Sequence, residues 1–242
     1  MNPELEKALL KVQKPGRYAG GESNRVVKDQ EQVDVRFAFC FPDVYEVGMS
    51  HLGMKILYGL FNEMDGVWCE RVFAPWPDME EQMREHQIPL YGLESGDAIT
   101  NFDFIGFTLQ YELSYSNVLN MLDLAGIPLY AKDRKGLGRI VVAGGPCACN
   151  CEPLADFLDL VFLGEGEEVD REVIELYRDC KKTGKTREEF LAAAAGIEGV
   201  YVPSLYQVDY HEDGTVKSIS PTQGAPCLLY TSDAADDMQC VD

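Results

Sequence analysis

The sequence is short of positive charge, of histidine and of long apolar runs, and each shortage removes a class of function. Lys and Arg number 21 against 41 Asp and Glu, a formal charge of −20 at pH 7. Such a field repels phosphate backbones and anionic headgroups, so neither nucleic acid nor a membrane surface is an expected partner. No apolar run approaches the ~20 residues that span a bilayer, and residues 1–32 lack the apolar stretch of a signal peptide. The expected compartment is the cytoplasm. The three histidines, His51, His86 and His211, share no metal-motif spacing.

Cysteine is less scarce, at eight residues, but most lie inside apolar segments such as Phe39-Cys40-Phe41 and Val67-Trp68-Cys69. That setting suits buried thiols in a reducing compartment better than a disulfide frame. Cys147, Cys149 and Cys151 crowd together, yet a zinc site needs four ligands, commonly two to four residues apart, so these read as loop thiols. With 242 residues and 46% hydrophobic content the chain has room for one substantial core.

Residues 1–32 hold one short helical stretch, Leu5 to Val12, then a Pro- and Gly-broken segment, and read as an arm. Residues 33–200 alternate strand and helix. Val33 to Phe41 is apolar on both faces, as a central strand requires. After the loop Asp43 to Ser50, apolar residues four apart from Leu52 to Met64 predict a helix over 51–64. The pattern recurs with strands at 67–73, 104–109, 140–143 and 160–163 and helices at 78–86, 116–124 and 167–180. Thr186 and Glu189 have capping-box spacing for a further helix. This alternation predicts a parallel sheet with helices on both faces, its ligand edge formed by the loops that leave the strands' C-terminal ends. Val200 to Val202, with the alternating 206–210 and 216–219, predicts an antiparallel hairpin, so residues 201–225 read as a hairpin and linker. Residues 226–242 follow neither periodicity, look like translated adapter sequence, and read as a non-native tail.

Two glycine clusters fall on the predicted ligand edge. Gly144-Gly145-Pro146 lets bare backbone approach a flat ligand, or simply makes a tight turn; on the first reading a side chain at 145 stops the ligand and spares the fold. Gly164-Glu165-Gly166-Glu167 superficially resembles a dinucleotide fingerprint. The third glycine is replaced by Val169, however, and glutamates at a helix N-terminus repel a pyrophosphate. They suit the helix dipole or accept hydrogen bonds from an uncharged ligand.

Lys14-Pro15-Gly16-Arg17-Tyr18, Pro42-Asp43-Val44-Tyr45-Glu46-Val47-Gly48-Met49-Ser50-His51-Leu52-Gly53 and Thr108-Leu109-Gln110-Tyr111-Glu112-Leu113-Ser114-Tyr115, with both glycine clusters, resemble radical S-adenosylmethionine (SAM) proteins that begin with a cobalamin (B12)-binding-type domain. The resemblance covers about Leu9 to Pro221. It implies a flavodoxin-like, Rossmann-like domain over residues 33–200 that holds cobalamin. In complete members it also implies a following domain with a 4Fe-4S cluster and SAM, which is cleaved reductively to a 5′-deoxyadenosyl radical. That cluster takes cysteines separated by three and then two residues; Cys147 and Cys151 supply the first interval, but position 154 is Leu154. The chain is therefore expected to be truncated before its radical domain, its natural partner. Cobalamin domains that ligate cobalt through histidine place Asp two residues before it and Gly three after. Around His51 those positions hold Met49 and Met54, so cobalamin is expected without a histidine ligand, and His51 as a helix cap. The binding candidates are Tyr45, Glu46, Tyr111, Glu112, Gly144, Gly145, Pro146, Glu165 and Glu167, with no catalytic or metal-binding residue. The rival expectation is a domain that kept the fold, lost the cofactor and docks a substrate or partner.

Overall fold

The structure, a computed structural model, describes residues 3–222 and 225. The tail expected to be non-native, residues 226–242, lies outside them. The main sheet has the order β2-β1-β3-β4-β5-β6, formed by β1 (Val35–Phe41), β2 (Val67–Phe73), β3 (Phe104–Thr108), β4 (Ile140–Gly144), β5 (Leu160–Phe162) and β6 (Val200–Tyr201). The first five strands run parallel and β6 closes the edge antiparallel to β5. This is the doubly wound, flavodoxin-like α/β arrangement, and the order reverses between β1 and β3.

Burial on both faces explains apolar runs such as Phe37 to Phe41 in β1. Val35, Phe37, Phe39 and Phe41 pack toward α3 (Leu52–Glu63), α6 (Gly166–Thr183) and α7 (Arg187–Ala194), while Ala38 and Cys40 join the core on the opposite face. That second layer is built by α4 (Pro77–Glu85) and α5 (Tyr115–Leu124), joined by α1 (Pro3–Leu9). The N-terminal segment therefore does not float: Leu5, Ala8 and Val12 are buried in that layer, and α1 packs on α4.

Helix α6 carries the deepest apolar stripe, Val173, Ile174, Tyr177 and Cys180, and ends on Gly184 with φ +68°. Helix α7 opens with the capping box that Thr186 and Glu189 announce. Two local expectations need correction. Residues 45–50, read as loop, form the short helix α2 (Tyr45–Ser50). Val200 to Val202 belong to the core and not to the hairpin: all three are buried, and β6 pairs with β5. The hairpin itself is β7 (Tyr206–Tyr210) with β8 (Val216–Pro221), largely exposed. No described helix is long and apolar enough to cross a membrane.

Candidate functional site

At the β1/β3 reversal, where open parallel sheets form their ligand crevice, a cavity of about 300 Å3 opens between the sheet and helices α3 and α6. Its sheet wall is Phe37, Phe39, Gly106, Val142 and Phe162; Leu57 and Phe61 of α3 and Gly166 and Asp170 of α6 form the other. Gly106 shapes the wall. A Cβ there would stand 2.5 Å from Phe37 Cζ, so the bare strand lets the Phe37 ring lie across β3 and stack on Phe61 at 4.2 Å. Glycine in a strand interior commonly marks such a close approach.

The mouth is held by polar links between the loops after β1 and β3. His51 is the cap residue of α3: its Nδ1 accepts the Met54 backbone N–H at 3.2 Å, which leaves the proton on Nε2 to be donated to Gln110 Oε1 at 3.0 Å. Gln110 Nε2 then donates to Thr108 Oγ1 at 2.7 Å. Further out, the Tyr111 hydroxyl donates to the Asp43 carboxylate, which holds the phenol above its usual titration range. Both ring nitrogens of His51 are thus engaged.

Gly144, Gly145 and Pro146 line the same mouth, but the two glycines are not equivalent. Gly145 has φ +98°, and a Cβ there would meet Leu109 O at 2.9 Å. The turn is tied to the end of β3, since Leu109 N–H donates to Gly144 O at 2.7 Å and Cys147 N–H to Leu109 O at 3.0 Å. The expectation that a side chain at 145 spares the fold is therefore overturned. At Gly144 a Cβ meets only Phe162 Cβ at 3.7 Å and its carbonyl oxygen at 3.9 Å. That position has room and faces the cavity, two residues along β4 from Val142.

The other candidates are not brought together. Tyr45 packs on Phe73 and its hydroxyl donates to Glu22 at 3.2 Å. Glu46 pairs with Arg17 and Lys14, and the Arg17 hydrogen bond lowers its carboxyl to about 2. Glu112 lies 3.4 Å from Asn150 Nδ2, and Glu165 and Glu167 are exposed on either side of Gly166 at the start of α6. Cys147 is half-buried, Cys149 exposed and Cys151 buried, and no three His, Cys, Asp or Glu side chains gather as a metal site among the described residues.

What sequence reasoning missed is Asp170. It is 5% exposed and lines the cavity. The other buried carboxylates each face a guanidinium: Glu70 pairs with Arg36, Glu94 with Arg71 at 2.6 Å, and Asp159 with Arg187 at 2.6 Å and Arg134 at 3.2 Å. Asp170 has neither an ion pair nor a hydrogen bond among the described residues; burial first, then the charge of Glu167, raises its carboxyl well above the ordinary aspartate value. The signal was present in the spacing, because 170, 173, 174 and 177 share the apolar stripe of α6 and only the first is charged.

The family model described as radical SAM proteins, N-terminal, matches residues 53–203, from the first turn of α3 to just past β6. A protein of Methanocaldococcus jannaschii, itself described as uncharacterized, is 30% identical over 135 residues, which is 55% of this chain and 24% of that protein. The aligned part thus spans about a quarter of that relative's length. No solved structure matches. The family match covers more than half of the chain, so this chain belongs to the radical SAM proteins, as their N-terminal domain.

Proposed function

We propose that this domain holds a cobamide for a radical SAM enzyme, with the corrin against the Gly144–Pro146 edge of the sheet and its heterocyclic tail in the cavity. The observation that carries the reading is the cavity itself. An apolar cavity of about half its volume takes one benzene ring, so about 300 Å3 suits a bicyclic heterocycle and excludes a macrocycle. At the mouth the bare backbone of Gly144 leaves room for a flat face. Because both ring nitrogens of His51 are already used, a bound cobamide would have no ligand from His51.

Bound there, a cobamide supplies a methyl carrier or one-electron relay, while SAM and the 4Fe-4S cluster belong to a radical domain of the whole protein. This chain's residues bind and orient. The Tyr111–Asp43 and His51–Gln110–Thr108 links fix the two loops, and the aromatic walls keep water from the tail.

A second reading, a docking module without cofactor, is favoured by apolar side chains exposed on the loops and helices of the same edge: Leu113 is 87% exposed, Leu52 69% and Val47 45%. Incubation with hydroxocobalamin followed by desalting separates the two. Corrin colour retained at one equivalent per chain supports the cobamide site; a colourless protein fraction refutes it and leaves docking.

A further inference from the structure

Of the four buried carboxylates discussed above, three are neutralised by arginine and the fourth stands unpartnered in the wall of the cavity. An unpaired buried polar group is costly, and a fold does not need one on the apolar stripe of its longest helix. The neighbourhood is specific. A Cβ on Gly166 would lie 3.0 Å from Asp170 Oδ2, so the missing side chain at 166 leaves that oxygen open to the cavity. The titratable groups that act on it or share its cavity are Glu167 on the same helix, the Cys69 thiol of β2 and the capped His51 at the mouth; among the described residues no Lys or Arg lines the cavity. Apart from Thr108 and Gln110 at the mouth, the rest of the wall is aromatic, aliphatic or glycine. Burial in an unpartnered site favours the protonated form, and a protonated carboxyl presents an O–H donor beside a C=O acceptor on one edge.

We propose that Asp170 determines which heterocycle the cavity takes, selecting a planar ring that carries an N–H beside a ring nitrogen, the edge of an aminopurine, over a benzimidazole-type ring that has no N–H on its free edge. The donor of Asp170 meets the ring nitrogen and its carbonyl accepts the N–H, so both groups are satisfied at once. A benzimidazole leaves the carboxyl unpaired, which is the penalty that makes polar sites discriminate. The cobamide reading enters only as the source of the heterocycle: a cobamide with an adenine tail and a free adenine nucleoside offer the same edge.

Equilibrium dialysis of the 242-residue chain against adenosine, purine riboside, adeninylcobamide and cobalamin tests this. Adenosine is expected to bind about tenfold or more tightly than purine riboside, which lacks the amino group, and adeninylcobamide to exceed cobalamin by a similar factor. Both ratios should fall to near one in Asp170→Leu and persist in Asp170→Asn, whose amide also sets a donor beside an acceptor. Ratios near one in the unaltered chain, or ratios that survive Asp170→Leu, overturn the role of Asp170 while leaving a cobamide site standing. Adenosine selectivity with neither cobamide retained supports Asp170 and removes the cobamide reading alone. Binding of none of the four probes overturns both. The comparison of adenosine with purine riboside needs no variant, so equal affinities refute the role even where Asp170→Leu fails to fold, and Asp170→Asn, which keeps the shape, still carries the assignment.

Discussion

The unpartnered carboxyl of Asp170 predicts a pH dependence that can be worked through before any ligand is known. In the unfolded chain an aspartate titrates near 3.9. In the folded domain burial holds the proton on Asp170 to much higher pH. Between those two values the native state carries a proton that the unfolded state has lost, so stability falls as pH rises, by ~1.4 kcal/mol per pH unit, until the folded group ionises too. Asp170→Asn has the same shape and no titration, so this slope vanishes. Carboxylates of the opposite kind, such as Glu46, lose stability as pH falls toward their own lowered value, but they are present in both proteins and cancel in the difference. The measurement is urea unfolding of both proteins at pH 5 and pH 6. The variant should gain up to ~1.4 kcal/mol relative to the parent over that unit, a relative shift in midpoint of up to ~1 M urea. Curves that stay parallel across the interval would mean that Asp170 is ionised in the folded domain at both values, and the argument for a neutral donor would fail.

Three further outcomes follow from the mouth of the cavity. Gly144→Val should leave the far-ultraviolet circular dichroism unchanged and abolish corrin retention, because its Cβ has ordinary contacts and its methyl groups enter the space the ligand needs; retained colour would move the ligand elsewhere. Gly145→Ala should cost ~1–3 kcal/mol in thermal or urea unfolding, since φ +98° and a 2.9 Å approach to Leu109 O both oppose a side chain, and an unchanged midpoint would contradict that geometry. His51→Ala should lose ~1 kcal/mol through the α3 cap and keep the cobamide. The paramagnetic spectrum of the cobalt(II) form should be the same in both, with no nitrogen triplet from imidazole; a triplet that disappears on substitution would place His51 on cobalt.

The layering of the fold was legible because periodicity reports burial. Strands buried on both faces read as mostly apolar runs and helices packed on one side as stripes, as Phe37 to Phe41 and the Val173, Ile174, Tyr177, Cys180 face show. Alternation of the two then leaves few topologies, and the ligand edge follows from the topology alone. What escaped were features set by tertiary contact. Residues 45–50 form a helical turn too short to show a period, and β6 is two residues long and owes its strand geometry to pairing with β5. Of the candidate residues the sequence offers, Gly144 to Pro146 lie at the cavity mouth, whereas Tyr45, Glu46, Tyr111 and Glu112 have partners that a sequence does not show. In the structure Arg17, Glu22, Asp43 and Asn150 take up those groups.

Where a sequence breaks its own local rules, the break is informative only if several breaks meet in space. Gly106 weakens the middle of an interior strand, Gly145 adopts a conformation closed to other residues, and Asp170 places an acid on an apolar stripe. Either glycine alone has an ordinary structural explanation, and the three are up to 64 residues apart in the chain. All three line one cavity, at the point where the strand order reverses. A core selected for stability alone would fill that space, since a residual void costs ~24 cal/mol for each cubic ångström. Replacing Asp170 by leucine and Gly144 by valine does so with groups that the walls already favour. If the doubly substituted domain is more stable than its parent and holds no ligand, then the parent has given up stability to keep the cavity open. A domain that merely docks on its neighbour has no reason to keep it open, because docking uses the surface and not the interior.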